Sequence, residues 1–236
     1  MRKLLLGAVG LILLGAAAPA AAADLGSRTY APFPNWSGFY MGINGGGGWS
    51  HNCLTNTSTF GGPTVPSFGE GCNTATGVMV GGQAGYRWQT SSFVFGLEAQ
   101  GDWANLSGSN ASLFNVGTSN QAKTDALGLF TGQVGYAWNN VLWYVKGGAA
   151  LANNTYNGIL TGVAFDQATE TRWGAVVGTG IEVGFASCWS LALEYDHAFM
   201  GSQNLIFTAG PVAGLSRNDS ISQGIDMFTA RINYRF

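Results

Sequence analysis

Strict alternation of side-chain character is the feature that most constrains the fold of this 236-residue chain. From residue 172 to 186, odd-numbered positions are mostly apolar and even-numbered positions are mostly glycine or charged. A period of two is typical of β-strands whose two faces meet different environments. We therefore predict eight strands, near residues 36–49, 77–88, 93–103, 125–138, 141–151, 172–186, 189–196 and 228–236.

An internal repeat groups these strands in pairs. The segment Gly82–Trp88 (GQAGYRW) is nearly repeated by Gly132–Trp138 (GQVGYAW), and weaker copies occur near Phe185 and Tyr234. A period close to 50 residues also occurs in kelch propellers, but each unit here holds only two convincing strands. Short turns at residues 89–92, 139–140 and 187–188 alternate with long Asn-, Ser-, Thr- and Gly-rich segments at 52–75, 105–122, 153–169 and 200–222. This alternation predicts an outer-membrane β-barrel with four long external loops and short periplasmic turns.

The distribution of charge indicates which face of the sheet points inward. Charged residues make up only 9% of the chain, compared with ~25% in ordinary soluble domains. We place none of them on the apolar face of the strands. The polar face carries ten charges, five of each sign: Arg87, Glu98, Asp102, Lys146, Arg172, Glu182, Glu194, Asp196, Arg231 and Arg235.

Glycine and aromatic residues support an inward-pointing polar face. Many of the 37 glycines, such as Gly81, Gly178 and Gly180, fall on the polar face. The interior of an eight-stranded barrel is only just wide enough for side chains, so it needs such small residues. Aromatic residues mark one rim near Trp88 and Trp138 and the other near Trp49 and Trp103, as expected at membrane interfaces. The sequence therefore predicts a membrane barrel rather than a soluble one.

The N-terminal segment predicts export. Arg2 and Lys3 precede an uncharged run that ends in Ala21–Ala23, which is typical of a cleaved signal peptide over residues 1–23. The alternative is a transmembrane anchor, because the uncharged run is nearly long enough to span the bilayer as a helix. Residues 24–35 are then a periplasmic tail and residues 36–236 the barrel. The composition excludes other classes: the charge balance does not fit nucleic-acid binding, and the 46% hydrophobic content does not fit disorder.

Specific motifs at both ends carry a family resemblance. The opening segment Trp36–Asn44 (WSGFYMGIN), the Gly-Tyr strand ends and the closing Asn233–Phe236 (NYRF) resemble the alphaproteobacterial outer-membrane immunogenic, porin-family proteins. These are relatives of the OmpA-like eight-stranded membrane barrel. The resemblance implies a surface-exposed protein of the Gram-negative outer membrane, often called a porin; some relatives bind haem. It also implies that Tyr234 and Phe236 form the C-terminal signal recognised by the barrel-assembly machinery.

The interior charges and the cysteines suggest specific features. The ten inward charges are compatible with a polar channel or with a salt-bridged plug, and we favour the plug because eight strands leave little bore. Cys53 and Cys72 flank the first long segment, where an oxidising periplasm permits a disulfide. Such a bridge contributes ~3 kcal/mol by loop entropy. Cys188 falls on the opposite rim, and we expect it to be unpaired or intermolecular.

Catalytic and metal sites are weakly represented. Candidate catalytic residues for a lipid-modifying hydrolase are Ser50, Ser190, His51 and His197. Their spacing brings no Ser-His-acid triad together. Two histidines are too few for an ordinary metal site, and His51 as a haem ligand is an open alternative. We expect no enzyme activity and no cofactor. Expected partners are outer-membrane lipid and lipopolysaccharide, the assembly machinery and a second copy in a homo-oligomer, with a structural role or, alternatively, a narrow channel or small-ligand receptor.

Overall fold

The chain forms a closed barrel of antiparallel strands. The structure, a computed structural model, describes residues 35–59, 62–111, 118–160, 163–209 and 217–236. Each strand pairs with its neighbours in sequence, and the first pairs with the last. The strands are β1 Gly38–Thr59, β2 Gly62–Thr90, β3 Phe93–Ala111, β4 Thr118–Trp138, β5 Val141–Leu160, β6 Val163–Gly184, β7 Trp189–Ala209 and β8 Arg217–Arg235. The eight-stranded barrel predicted from the sequence is confirmed.

No helix long and apolar enough to cross a membrane is found in the part of the chain described. The predicted signal peptide at residues 1–23 and nearly all of the predicted tail lie outside the described residues, so both stay predictions. The short turns are where the sequence places them, with Ser91–Ser92 and Asn139–Asn140 joining strands. Ser91 and Asn139 have φ values of 56° and 54°, the left-handed geometry that tight hairpin turns require.

The strands run further than the sequence pattern indicates. Much of each segment predicted as a long loop is paired strand, because β1 continues to Thr59 and β2 starts at Gly62. Cross-strand pairing uses backbone groups, so polar side chains do not end it. Thr is also favourable in strands. The Asn-, Ser- and Thr-rich segments therefore extend the barrel wall beyond the membrane.

The outer face is an apolar belt between two aromatic rims. Leu97, Ile181 and Leu193 lie near its middle and are all more than half exposed. Along β3, the eleven residues from Phe93 to Trp103 span about 33 Å of strand. At a tilt of ~40° this corresponds to about 25 Å of membrane, which is the usual height of such a belt.

Among the described residues, charge on the outer face is confined to its outer end, which corrects one detail of the sequence interpretation. Asp226 has the same outward orientation as Phe228, and it accepts hydrogen bonds from Tyr195 Oη and His197 Nδ1, both at 2.6 Å. Trp49 is its partner on β1. Asp226 therefore lies at the outer aromatic rim, where partial solvation and two donors permit a carboxylate.

The interior is layered, and the inward side chains of β8 sample each layer. From the periplasmic end outward, they are Asn233, Arg231, Thr229, Met227, Ile225, Gln223, Ile221 and Asp219, all buried. Arg231 belongs to a network of charges, described below. Met227 and Ile225 belong to an apolar layer, and Ile221 belongs to a second apolar cluster further out. Charged, apolar, amide and apolar layers thus succeed one another along the barrel axis.

Candidate functional site

A network of buried charges fills the membrane-spanning part of the interior. Arg231 forms ion pairs with Glu98, at 2.8 Å, and with Glu194. Lys146 Nζ lies 2.6 Å from Glu194, 3.3 Å from Asp196 and 3.6 Å from Glu98. Each of these side chains is almost completely buried, so the charges are compensated by one another rather than by solvent.

Ion pairs in this network cross the barrel. Arg87 on β2 pairs with Glu182 on β6 at 2.8 Å. Strands two and six are diametrically opposite in a ring of eight, so this pair spans the lumen near the periplasmic end. We call the set Arg87, Glu98, Asp102, Lys146, Glu182, Glu194, Asp196 and Arg231 the central charge network.

Phenols add hydrogen bonds to two carboxylates of the network. Tyr40 Oη donates to Glu98 and Tyr144 Oη donates to Glu194, both at 2.6 Å. The guanidinium of Arg87 also lies 4.2 Å from the centre of the Tyr40 ring, within cation–π range. These contacts limit the cost of burying charge, because a carboxylate in a low-dielectric interior needs several donors.

Glycines on facing strands make room for the network. A Cβ atom at Gly178 would lie 1.9 Å from Asp196 Oδ1, and one at Gly81 would lie 2.2 Å from Asp102 Oδ1. The crowding of glycine on the polar face therefore has the steric cause inferred from the sequence. The barrel has space for these charged side chains because their register partners on the neighbouring strand are glycines, which have no side chain.

Two carboxylates in the network are incompletely satisfied. Neither oxygen of Asp196, nor Oδ1 of Asp102, has a hydrogen-bond partner among the described residues. The network contains three cations and five carboxylates, because Arg172 and Arg235 lie elsewhere. Arg172 is fully buried further out, where it pairs with Glu170, and half-buried Arg235 donates to the carbonyl of Ser187 at 3.2 Å. Eight of the ten predicted interior charges thus belong to the central charge network. The other two, Arg172 and Arg235, lie toward opposite ends of the barrel.

An apolar layer lies across the lumen on the outer side of the network. It contains side chains from the seven strands β2 to β8, and most of them are completely buried. Its members are Ala75, Met79, Ala104, Leu106, Leu127, Leu129, Ala150, Ala152, Val176, Ala198, Met200, Ile225 and Met227. This layer was not predicted from the sequence, although Met227 and Ile225 have the same inward parity as Arg231 and that parity could have identified them.

The cysteines follow the predicted pairing. Cys53 and Cys72 form a disulfide between β1 and β2, as predicted. They are also partners in the strand register, so the bridge joins two strands that are already paired. Cys188 is a free cysteine in the turn at the periplasmic end.

The serines and histidines considered for catalysis have other partners. Ser190 Oγ donates to Glu182, and Ser50 Oγ interacts with Asn52 and Gln223 in the interior. His51 lies on the outer face, where its Nδ1 is 3.0 Å from Thr74 Oγ1. In the described ranges, no group of three or more His, Cys, Asp or Glu side chains is arranged to hold a metal ion.

The C-terminal residues occupy the closing seam of the barrel. The Phe236 amide donates to the carbonyl of Phe39 at 3.0 Å, and the two rings lie 5.7 Å apart. Tyr234 packs on Phe236 and on Trp189, with 5.0 Å between ring centres in each pair. Both residues of the proposed assembly signal therefore lie in the periplasmic aromatic rim.

A closed barrel with an apolar belt, two aromatic rims and a charged interior defines an outer-membrane β-barrel protein. The chain belongs to the outer membrane protein beta-barrel domain family, whose model matches residues 8–236. It is 26% identical over 214 residues to the 31 kDa outer-membrane immunogenic protein of Brucella melitensis, which covers 86% of this chain and 84% of that protein. The resemblance inferred from the sequence is confirmed, and the protein is located in the Gram-negative outer membrane.

Solved structures of low sequence identity share the fold. OprG from Pseudomonas aeruginosa has a TM-score of 0.51 at 9% identity, covering 85% of this chain and 97% of that one. The outer membrane protease OmpT from Escherichia coli has a TM-score of 0.51 at 8% identity, covering 84% of this chain and 97% of that one. At these identities the likeness concerns the architecture of the barrel alone.

Proposed function

We propose that this protein is a non-enzymatic, structural component of the outer membrane whose interior is a plug rather than a channel. The observation that carries the proposal is the succession of layers across the lumen. The central charge network is followed by an apolar layer of buried side chains. An ion that crosses the barrel would have to break buried ion pairs and then leave water altogether, and both steps are costly.

Planar-bilayer recording tests the plug. We expect the wild-type barrel to give no steady open-channel conductance. Leu129 on β4 and Met227 on β8 come from opposite sides of the apolar layer, and each is about 1% exposed. The double variant Leu129→Ala/Met227→Ala removes side chains from the lumen, and we expect it to show measurable single-channel events.

A matched control truncates side chains on the lipid-facing surface instead. The double variant Leu97→Ala/Val134→Ala changes exposed residues of β3 and β4, and we expect it to be as silent as wild type. Steady conductance by the wild-type protein would contradict the plug and favour a channel.

A narrow cation pathway is the second candidate. The excess of carboxylates over cations in the central charge network favours it, because Asp102 and Asp196 have oxygens without hydrogen-bond partners in the described chain. Recording in asymmetric salt distinguishes the two functions, since this pathway would give a cation-selective reversal potential.

The partners follow from the surface. We propose that the apolar belt binds outer-membrane lipid and lipopolysaccharide, and that the C-terminal Tyr234 and Phe236 engage the barrel-assembly machinery. Support comes from the exposed apolar side chains of the belt and from the placement of both aromatic residues in the periplasmic rim. A homo-oligomer is a further proposal, open to measurement by cross-linking in membranes.

A further inference from the structure

The residues that precede β1 fold into the periplasmic mouth of the barrel. Trp36 lies before the first strand, yet only 2% of its surface is exposed. It belongs to a buried apolar cluster with Val94, Ala137, Leu142 and Tyr144, which lie at the periplasmic ends of β3, β4 and β5. These strands do not include β1 or its neighbours β2 and β8, so the indole extends from its own strand across the lumen.

Gly38 provides the bend that directs this segment inward. The ladder of β1 begins at Gly38, which pairs with Arg87 on β2, so residues 35–37 lie outside the barrel wall. Gly38 has a φ of +132°, a conformation that residues with a side chain rarely adopt. A Cβ atom there would also lie 3.2 Å from the carbonyl oxygen of Phe236. The chain therefore turns into the lumen at a position that favours glycine.

Hydrogen bonds that involve side chains fasten the segment to the end of β2. The amide of Trp36 donates to Oε1 of Gln89, and the amide of Gln89 donates to Oγ of Ser37 at 2.8 Å. Gln89 Nε2 donates to the carbonyl of Ser91 at 2.7 Å, which holds the side-chain amide in place. Residues 35–37 take no part in the strand ladders, so release of the segment would break no backbone hydrogen bond of the wall.

The buried indole lies against the charged interior. The guanidinium groups of Arg87 and Arg235 are each 5.9 Å from the centre of the Trp36 ring, within cation–π range. Arg87 forms the ion pair with Glu182 that spans the lumen near the periplasmic end. Because Trp36 precedes Gly38, the register partner of Arg87, it lies on the periplasmic side of this ion pair. The indole therefore separates the pair from periplasmic water.

We propose that Trp36 is a removable stopper in the periplasmic mouth, which swings about Gly38 and, when withdrawn, opens the periplasmic side of the central charge network to water. The apolar layer closes the lumen on the other side of the network. Withdrawal of the stopper therefore hydrates the network without opening a path across the membrane. The stopper adds to the proposed plug a second barrier, at the opposite end, that does not depend on the apolar layer.

Cysteine labelling measures whether the stopper closes the mouth. The reporter is Leu142→Cys, because Leu142 belongs to the Trp36 cluster and is 0% exposed. Cys188→Ser removes the free cysteine of the periplasmic turn, and the Cys53–Cys72 disulfide stays intact without reductant. The full barrel with these two changes is the parent. It is treated in nanodiscs with a charged methanethiosulfonate, which reacts with thiols that meet water, and we expect slow labelling.

Two variants of the parent distinguish a removable stopper from a fixed core residue. Trp36→Ala removes the stopper and should speed labelling roughly ten- to a hundredfold, the factor that corresponds to burial of one large apolar side chain. Gln89→Ala keeps the indole but removes one hydrogen bond of the segment, so labelling should be roughly three- to tenfold faster. Trp138→Ala is the matched control, because this rim indole is 49% exposed on the outer face.

Heat-modifiable mobility on SDS gels checks that each variant is folded. Labelling that is fastest in Trp36→Ala, intermediate in Gln89→Ala and equally slow in Trp138→Ala and the parent supports the proposal. Rapid labelling of the parent, or equal rates in Gln89→Ala and the parent, would overturn it. If Trp36→Ala does not fold, the comparison of Gln89→Ala with the parent decides. Planar-bilayer recording reads the apolar layer, whereas labelling reads the periplasmic mouth, so the plug and the stopper fail in different measurements.

Discussion

The two seams β1–β8 and β6–β7 differ in a way that chain connectivity does not anticipate. The closing seam joins strands from the two ends of the barrel sequence, yet it is paired from Tyr40–Arg235 to Thr59–Arg217 with one irregularity. The seam β6–β7 joins consecutive strands through a short turn, yet no ladder joins residues 168–174 of β6 to residues 200–207 of β7, a gap that we call the breach. A β-bulge lies at its start, because the register between β7 and β8 shifts between Phe199 and Gly201. Continuity is therefore set by local backbone geometry, and the bulge at Gly201 outweighs the advantage of a nearby turn.

The two seams also differ in what holds them. At the closing seam, ladder hydrogen bonds and the packing of Phe236 on Phe39 are sufficient. At the breach, the side chain of Arg172 reaches from β6 to backbone carbonyls of β7 and β8. A single guanidinium thus substitutes in part for a missing stretch of ladder, which makes the open seam more dependent on one residue.

The largest expected effect comes from Arg172→Met. This change removes the contacts across the breach and leaves Glu170 buried without its cation, a situation that costs about 3–5 kcal/mol of unfolding free energy. Urea titration in phospholipid bilayers measures the loss. Adding Glu170→Gln should recover the part of the loss that comes from the unpaired carboxylate, and the part that persists measures the cross-strand contacts of Arg172. A double variant as stable as wild type would refute the cross-linking role.

A smaller effect is expected from arginine placed on the lipid-facing side of β7. Leu193 is 52% exposed in the paired part of the strand within the apolar belt. Leu193→Arg should cost ~2–4 kcal/mol of unfolding free energy, whereas Gln203→Arg beside the breach should cost ~0–1 kcal/mol. Equal costs would show that the breach lies in the hydrocarbon region rather than beyond the rim.

The smallest expected effect is at the closing seam. A Cβ atom at Gly46 would lie 2.0 Å from the carbonyl oxygen of Phe228, so Gly46→Ala must displace β8 from β1. We expect a loss of about 1–3 kcal/mol, as for other overpacked sites. Gly101→Ala meets nothing within 4 Å and is the control. Heat-modifiable mobility on SDS gels measures both, and a stable Gly46→Ala barrel would indicate that the closing seam adapts.

Much of the fold can be predicted from the sequence because the period of two is repeated over long segments. The opposite faces of Trp173 and Arg172 require a sheet with one lipid-facing and one filled side, and a single strand slip would exchange them. The disulfide between Cys53 and Cys72 was also predictable, since both cysteines flank one hairpin end.

The breach and the layers were not predictable in the same way. A bulge is a one-residue event, and nothing in the sequence around Met200 and Gly201 marks it against the other glycines of the chain. The division of the inward charges also depends on which strands lie opposite each other. Arg87 meets Glu182 only because the ring closes at eight strands, whereas Arg172 is left with its neighbour Glu170.

The central charge network has a consequence for the order of assembly. Arg231, on the last strand, is the partner of Glu98 on β3. Arg87 on β2 gains its partner Glu182 only when β6 has been added to the sheet. A partly built sheet therefore holds unpaired charges on its inner side, and these favour water over lipid. The final strand brings Arg231 to Glu98 and Glu194 as it closes the ring, so that completion of the barrel and withdrawal of its interior from water are one cooperative event.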